Sequence, residues 1–137
     1  MKVPFSFPVR VYYEDTDAGG VVYYANYLRF MERARTEWLR SLGFGLDELL
    51  RQHGVLFAVR SVQLDFLKPA RLDDLLHLTV DVARYGRASI SLHQRVHLDD
   101  LVLCEGEVKI ACLEAITFTP CAMPDAIAAR LTEGSVV

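Results

Sequence analysis

Residues 26–43 read Asn26-Tyr-Leu-Arg-Phe-Met-Glu-Arg-Ala-Arg-Thr-Glu-Trp-Leu-Arg-Ser-Leu-Gly43, and their spacing decides the fold. Tyr27, Leu28, Met31, Ala34, Arg35, Trp38, Leu39 and Leu42 recur at i, i+3, i+4 and i+7, while Arg29, Glu32, Arg33, Glu37 and Arg40 fill the other side. The pattern predicts one amphipathic helix of about four turns. Asn26 stands where an N-cap is wanted, and Gly43 where a left-handed residue ends a helix. A second short helical turn is expected over 46–53, closed by Gly54.

Working outward, the apolar period on either side is two. Residues 5–14, rich in aromatic and β-branched types, read as a first strand, with Pro8 marking an edge or a bend. Downstream, Val62, Leu64 and Phe66, then Leu76, Leu78, Val80 and Val82, then Ile90, Leu92, Val96 and Leu98, then Val102, Cys104, Val108, Ile110 and Cys112 alternate with polar residues. The separators 68–73, Tyr85-Gly86 and Asp99-Asp100 are short and carry turn residues, which predicts antiparallel neighbours. The tail is expected to turn helical after Pro124. A five-stranded antiparallel sheet with one apolar face, wrapped around one long helix in an α+β arrangement, satisfies all of these patterns.

Length and composition bound the function. The chain has 137 residues, net charge −3, and is 52% hydrophobic and 24% charged, which suits one soluble domain spanning 1–137. A chain of this size buries roughly 68% of its unfolded surface, so a disulfide or structural metal is not required. The mildly acidic balance argues against broad nucleic-acid binding. No apolar run approaches the ~20 residues that span a bilayer, and the opening residues 1–8 lack a continuous signal-peptide core. Cys104, Cys112 and Cys121 have no CxxC spacing and read as buried structural thiols of a cytoplasmic protein. On one strand, Cys104 and Cys112 would lie roughly 26 Å apart.

Chemistry concentrates at Glu14-Asp15-Thr16-Asp17-Ala18-Gly19-Gly20, between the first strand and the long helix. Three carboxylates adjoin a backbone able to approach a ligand closely, and the helix that follows points its free amide groups at the same region. Such amides can bind a developing oxyanion. The same residues also suit an acidic turn that only favours the helix N-terminus electrostatically. A calcium-loop reading from Asp15 fails because Gly19 and Asn26 occupy ligand positions. GxSxG, Walker A and GxGxxG motifs are all missing. His93 and His97 would stand about 13 Å apart on a strand, too far to chelate one ion. Lys68 and Arg71, then Arg84 and Arg87, gather at strand ends, as a phosphate-bearing small ligand would want, or as solvated turns.

The run Val9-Arg-Val-Tyr-Tyr-Glu-Asp-Thr-Asp-Ala-Gly-Gly-Val-Val-Tyr-Tyr-Ala-Asn-Tyr27, with Phe30-Met-Glu-Arg-Ala-Arg-Thr-Glu-Trp-Leu-Arg40, resembles the hot-dog-fold acyl-CoA thioesterases of the 4-hydroxybenzoyl-CoA thioesterase type, most nearly their Tol-Pal-associated branch. The likeness continues through Pro69–Asp74 and Gln94–Val96. It implies a curved sheet around a central helix and hydrolysis of a short-chain or aromatic acyl-CoA. No cofactor is implied beyond the CoA of the substrate. The family's catalytic carboxylate falls on Asp17, and its carbonyl-polarising N–H at or near Tyr24, in the first turn of the helix. Gly19, Gly20, Val22 and Tyr23 shape the approach of substrate, and Arg87 and Ser89 fall where relatives contact CoA. The Tol-Pal-associated branch commonly has His at the position of Tyr24. The resemblance also implies a homo-oligomer, a dimer or a dimer of dimers up to a homotetramer. An alternative within the same fold is a weakly catalytic protein that binds acyl-CoA or acyl carrier protein and is linked to the cell envelope.

Overall fold

The computed structural model describes residues 5–134, the side chains of 132–134 excepted. Residues 1–4, which open the stretch read as lacking a leader core, lie outside the described residues. The elements run β1 Ser6–Arg10, a 3-10 turn Tyr13–Asp15, α1 Asn26–Ser41, α2 Leu46–His53, β2 Val55–Phe66, β3 Leu75–Tyr85, β4 Ser89–Leu98, β5 Leu101–Glu114 and α3 Asp125–Gly134. One antiparallel sheet of order β1-β3-β4-β5-β2 curves over α1, as the patterning predicts.

The α1 helix buries Tyr27, Phe30, Met31, Ala34, Trp38 and Leu39, and Gly43 ends it at φ 96° as expected. Full burial of Phe30 and Met31 contributes about 1.5–3 kcal/mol each. Two expectations fail here. Phe30, outside the expected stripe, is buried, whereas Leu28 is exposed; α1 packs on β1, β3 and α2. Asn26 is not the N-cap: Ala25 holds that position with helical backbone angles, and the Asn26 side chain is buried.

The first strand stops at Arg10 rather than residue 14. The Asp15 carboxylate accepts the Tyr12 N–H at 2.8 Å, and this local bond coils the chain where a strand would continue. Pro8 lies on an edge strand, where its missing N–H costs nothing.

The segment 67–74 does not join neighbours, contrary to the short-turn reading. β2 pairs with β5 at one edge, while β3 pairs with β1 and β4. The crossing chain is captured instead by the acidic loop, through the Val21–Arg71 bridge and the Val22 N–H bonded to the Ala70 carbonyl at 2.9 Å. The Asp99-Asp100 hairpin is as expected, with Asp99 at φ 52°. Next to it the pairing slips between Val96 and His97, so Leu103 as well as Cys104 is buried, and β5 departs from strict alternation. Strand β2 begins earlier than the 62–66 alternation indicates, at Val55, and its Val62 and Phe66 are exposed rather than half-buried. Gly106 permits β2 and β5 to close: a Cβ there would stand 2.0 Å from the Gln63 carbonyl oxygen.

Within this shell Arg35 and Gln94 form a polar tie. Arg35 Nη1 donates to Gln94 Oε1 at 2.9 Å, and Gln94 Nε2 donates to the Met31 carbonyl at 3.2 Å, linking α1 to the middle of β4. At the far end Tyr85 donates its hydroxyl to the Leu131 carbonyl and docks α3.

All three cysteines are free; Cys104 and Cys112 are buried on β5, and Cys121 is half-buried with its sulfur 3.7 Å from that of Cys112. Burial pushes both the Cys104 and Cys112 thiols up to about 12 from 9.0. The folded chain therefore keeps two protons that the unfolded chain releases. Their contribution to stability is full below the unfolded thiol pKa near pH 9 and is lost as pH rises toward 12. Under reducing conditions the denaturation midpoint should fall between pH 9 and 11, and the Cys104→Ala/Cys112→Ala variant should fall less steeply; equal slopes would contradict this assignment.

Candidate active site

The acidic loop folds back on itself. Thr16 bridges Val22, the Asp17 N–H bonds to the Val21 carbonyl at 2.9 Å, and the Tyr23 N–H to the Asp15 carbonyl at 3.0 Å. Gly20 takes a left-handed φ of 78° at the tip, where a side chain would be strained. Asp15 organises the base of the loop. Its carbonyl also accepts the Asn26 side-chain N–H at 2.8 Å, so the loop is tied to the first residue of α1.

This knot presents Asp17 on one limb and Tyr24 on the other. The Asp17 carboxylate is exposed and accepts the Gly19 N–H at 2.8 Å. Among the described residues, no protein acceptor is recorded for the backbone N–H of Tyr24 or Ala25, whereas those of Tyr23, Asn26, Tyr27 and Leu28 are bonded. Tyr24 lies in the turn immediately before α1 rather than in its first turn. Two donors therefore stand open at the positive end of a 16-residue helix.

Beside Tyr24 a cleft of about 210 Å³ is lined by Val22, Tyr27, Phe66, Leu67, Lys68 and Pro69. Its floor is fixed by Tyr27, whose hydroxyl accepts the buried Ala70 N–H at 3.1 Å. Burial pushes the Tyr27 phenol up, which keeps it neutral in that role. The Tyr24 and Phe66 rings meet edge to face at 6.2 Å. Lys68 supplies a cation at the rim.

Of the residues singled out in the sequence, Asp17, Gly19, Gly20, Val22, Tyr23 and Tyr24 share this loop. Arg87 and Ser89 do not join them within one chain. They flank the β3–β4 turn at the opposite end of β3, roughly 33 Å along the strand from Leu75 beside the loop. Arg84 spends its charge on Glu107 at 2.7 Å. His93 faces Glu105 at 3.4 Å on the outer side of the sheet, and no metal-binding cluster exists among the described residues. The parts that sequence reasoning missed are the carbonyl of Asp15 and the amide of Asn26. A buried Asn at a helix start was the available signal, and it reads equally as a cap.

A hot-dog sheet with an acidic loop at the N-terminus of its central helix is the architecture of a thioester hydrolase, and residues 19–105 match the thioesterase superfamily model. The chain belongs to that family. It is 47% identical over 125 residues to the acyl-CoA thioesterase YbgC of Haemophilus influenzae, covering 91% of this chain and 92% of that protein. It is 42% identical over 130 residues to the acyl-CoA thioester hydrolase YbgC of Escherichia coli O6:H1, covering 94% and 96%. Among solved structures, a protein from Bartonella henselae described as a probable thioesterase superposes with a TM-score of 0.83 at 34% identity, over 89% of this chain and all (100%) of that one. A hypothetical protein of Aquifex aeolicus superposes with a TM-score of 0.87 at 26% identity, over 93% and 99%. The resemblance drawn from residues 9–40, to the Tol-Pal-associated branch of the hot-dog-fold acyl-CoA thioesterases, is borne out.

Proposed function

We propose that this chain hydrolyses a short-chain or aromatic acyl-CoA to the free acid and CoA at the Asp17–Tyr24 loop. The observation that carries this reading is the pairing of an exposed carboxylate with unpartnered helix-start amides across one bridged loop. The thioester oxygen would sit on the Tyr24 N–H, where negative charge develops during attack. In the general-base route Asp17 takes a proton from water, the hydroxide adds to the carbonyl carbon, and the C–S bond breaks to release CoA thiolate. In the nucleophilic route Asp17 displaces the thiolate to give a mixed anhydride, which water opens. Either route works without a strong general acid, because a thiol of pKa about 8.5 leaves readily as thiolate.

Gly19 and Gly20 keep the approach open, while Val22, Tyr23 and the Tyr24 cleft receive the acyl end. Arg87 and Ser89 reach the CoA portion of a site only from a second copy of the chain. That role supports a homo-oligomer, a dimer or a dimer of dimers. Strand β2 runs 12 residues along a sheet edge with Val62 and Phe66 exposed, a surface suited to such pairing. The free thiols of Cys104, Cys112 and Cys121 suit a reducing cytoplasm. Acyl carrier protein is a further candidate partner, presenting the same thioester chemistry.

A thiol-release screen over acetyl-, butyryl-, long-chain, benzoyl- and hydroxybenzoyl-CoA should find a substrate, and Asp17→Asn should lower kcat at least about 100-fold with an unchanged melting curve. Full activity in that variant would remove Asp17 from the chemistry. Tight binding without thiol release across the panel would favour an acyl-CoA or acyl carrier protein binder. Sedimentation should show a dimer or tetramer, and a monomer at working concentration would overturn the shared-site reading.

A further inference from the structure

Strand β4 begins at Ser89, opposite Ala111, so the last residues of β5 run past it and pair with the returning chain instead. The register there is antiparallel. It is set by the Leu113–Pro120 bridge, the Cys121 N–H bonded to the Cys112 carbonyl at 2.9 Å and the Glu114 N–H bonded to the Thr119 carbonyl at 2.9 Å. Cys112 and Cys121 therefore stand directly opposite each other, with side chains on the same face. Residues paired in this way have Cα atoms about 5.5 Å apart, inside the roughly 4.4–6.8 Å that a disulfide spans. Their sulfurs already lie 3.7 Å apart. Closing that gap to a bond of about 2.05 Å asks for side-chain rotation rather than a rearranged backbone.

The thiols differ in access. Cys121 is half-buried and can meet a small oxidant, whereas Cys112 and Cys104 are buried. Cys104 stands eight residues before Cys112 on the same strand, roughly 26 Å away and out of reach of it. The pair also adjoins the β3–β4 turn on both sides. The Cys112 N–H donates to the Ala88 carbonyl at 2.8 Å, the Met123 N–H to the Arg87 carbonyl at 3.1 Å, and the Gly86 N–H closes the turn on the Ser89 carbonyl at 2.7 Å. A covalent link between the two sulfurs ties β5, the segment 119–123 and this turn into one unit.

We propose that Cys112 and Cys121 form a reversible intramolecular disulfide, an oxidation site that locks the turn carrying Arg87 and Ser89. With hydrogen peroxide as the oxidant, the Cys121 thiol takes one oxygen to become a sulfenic acid, and the other oxygen leaves as water. The Cys112 sulfur then bonds to that of Cys121, the S–O bond breaks, and a second water departs with the Cys112 proton. Two thiols are oxidised and one peroxide is reduced. A dithiol restores both thiols and is itself oxidised to a disulfide. Burial keeps Cys112 protonated, so it resolves the reaction rather than starting it, with proximity supplying what acidity does not. In a reducing compartment the pair rests as thiols, and disulfides formed there are transient or sensing ones. The lock does not depend on what Arg87 and Ser89 bind.

The test treats the intact, reduced protein with a small molar excess of hydrogen peroxide, alkylates the remaining thiols in denaturant and maps the tryptic peptides. Cleavage after Arg95, Lys109 and Arg130 places Cys104 on the peptide 96–109 and puts Cys112 and Cys121 together on 110–130. The 110–130 peptide should lose two hydrogens and escape alkylation, while Cys104 is alkylated. Dithiothreitol should return both thiols, and hydrogen exchange of the amides over 86–89 should be slower in the oxidised protein than in the reduced one. In Cys121→Ser, Cys112 should remain a thiol under the same treatment; the wild-type map decides the matter if that variant does not fold. Oxygen adducts on Cys121 without the internal link, chains joined to one another through disulfides, or oxidation of Cys104 at the same rate would each overturn the proposal. So would oxidation of Cys112 in Cys121→Ser, or a turn that exchanges equally in both states.

Discussion

Everything at the candidate site depends on one backbone carbonyl. The Asp15 oxygen accepts both the Tyr23 N–H at 3.0 Å and the Asn26 side-chain N–H at 2.8 Å, so the acidic loop and the helix start are one rigid unit. Without that tie the two limbs of a Gly-rich loop would sample many conformations, and ordering each residue costs about 1–2 kcal/mol. With it, the loop that carries Asp17 is tied to the start of α1, where the Tyr24 and Ala25 amides have no protein acceptor among the described residues. The carboxylate of the same Asp15 bends the incoming strand through the Tyr12 N–H at 2.8 Å. One residue that touches no substrate in this account thus ends β1, closes the loop and registers the helix.

The helix and its wrapping sheet were legible because burial imposes a period. The α1 stripe, its Gly43 terminus, the α2 closure at Gly54 and the alternation along β3, β4 and β5 all follow from which face meets the core. What escaped the pattern was long-range or local and polar. Strand order is not encoded in periodicity, and a short segment such as 67–74 reads as a hairpin until the loop that captures it is known. The end of β1 was lost to a side-chain bond three residues away, and Leu103 was lost to a slip in pairing. Val62 and Phe66 show the opposite case. Their apolar alternation is genuine, but within the described residues it leaves both side chains exposed at a sheet edge.

The candidate site was legible in its residues and not in its geometry. Spacing alone brought Asp17, Gly19 and Gly20 to one loop, and the resemblance added Tyr24 and attached roles to them. Neither indicated that Arg87 and Ser89 stand at the other end of β3, because sequence distance carries no information about which end of a strand faces a neighbour's loop. Arg35 was visible on the apolar side of the helix, where a charge has no business without a partner, and its counterpart Gln94 was hidden among the inward residues of β4.

The positioning role of Asn26 is where the account is most exposed. Asn26→Ala removes the side-chain tie to Asp15 but leaves Asp17, the helix amides and the acyl cleft in place. Steady-state hydrolysis of the best acyl-CoA substrate by this variant should show kcat reduced about tenfold or more with KM nearly unchanged, since a small misplacement of the reacting groups is felt mainly in the chemical step. Wild-type kcat in a folded Asn26→Ala protein would contradict the claim that this tie sets the geometry of the site.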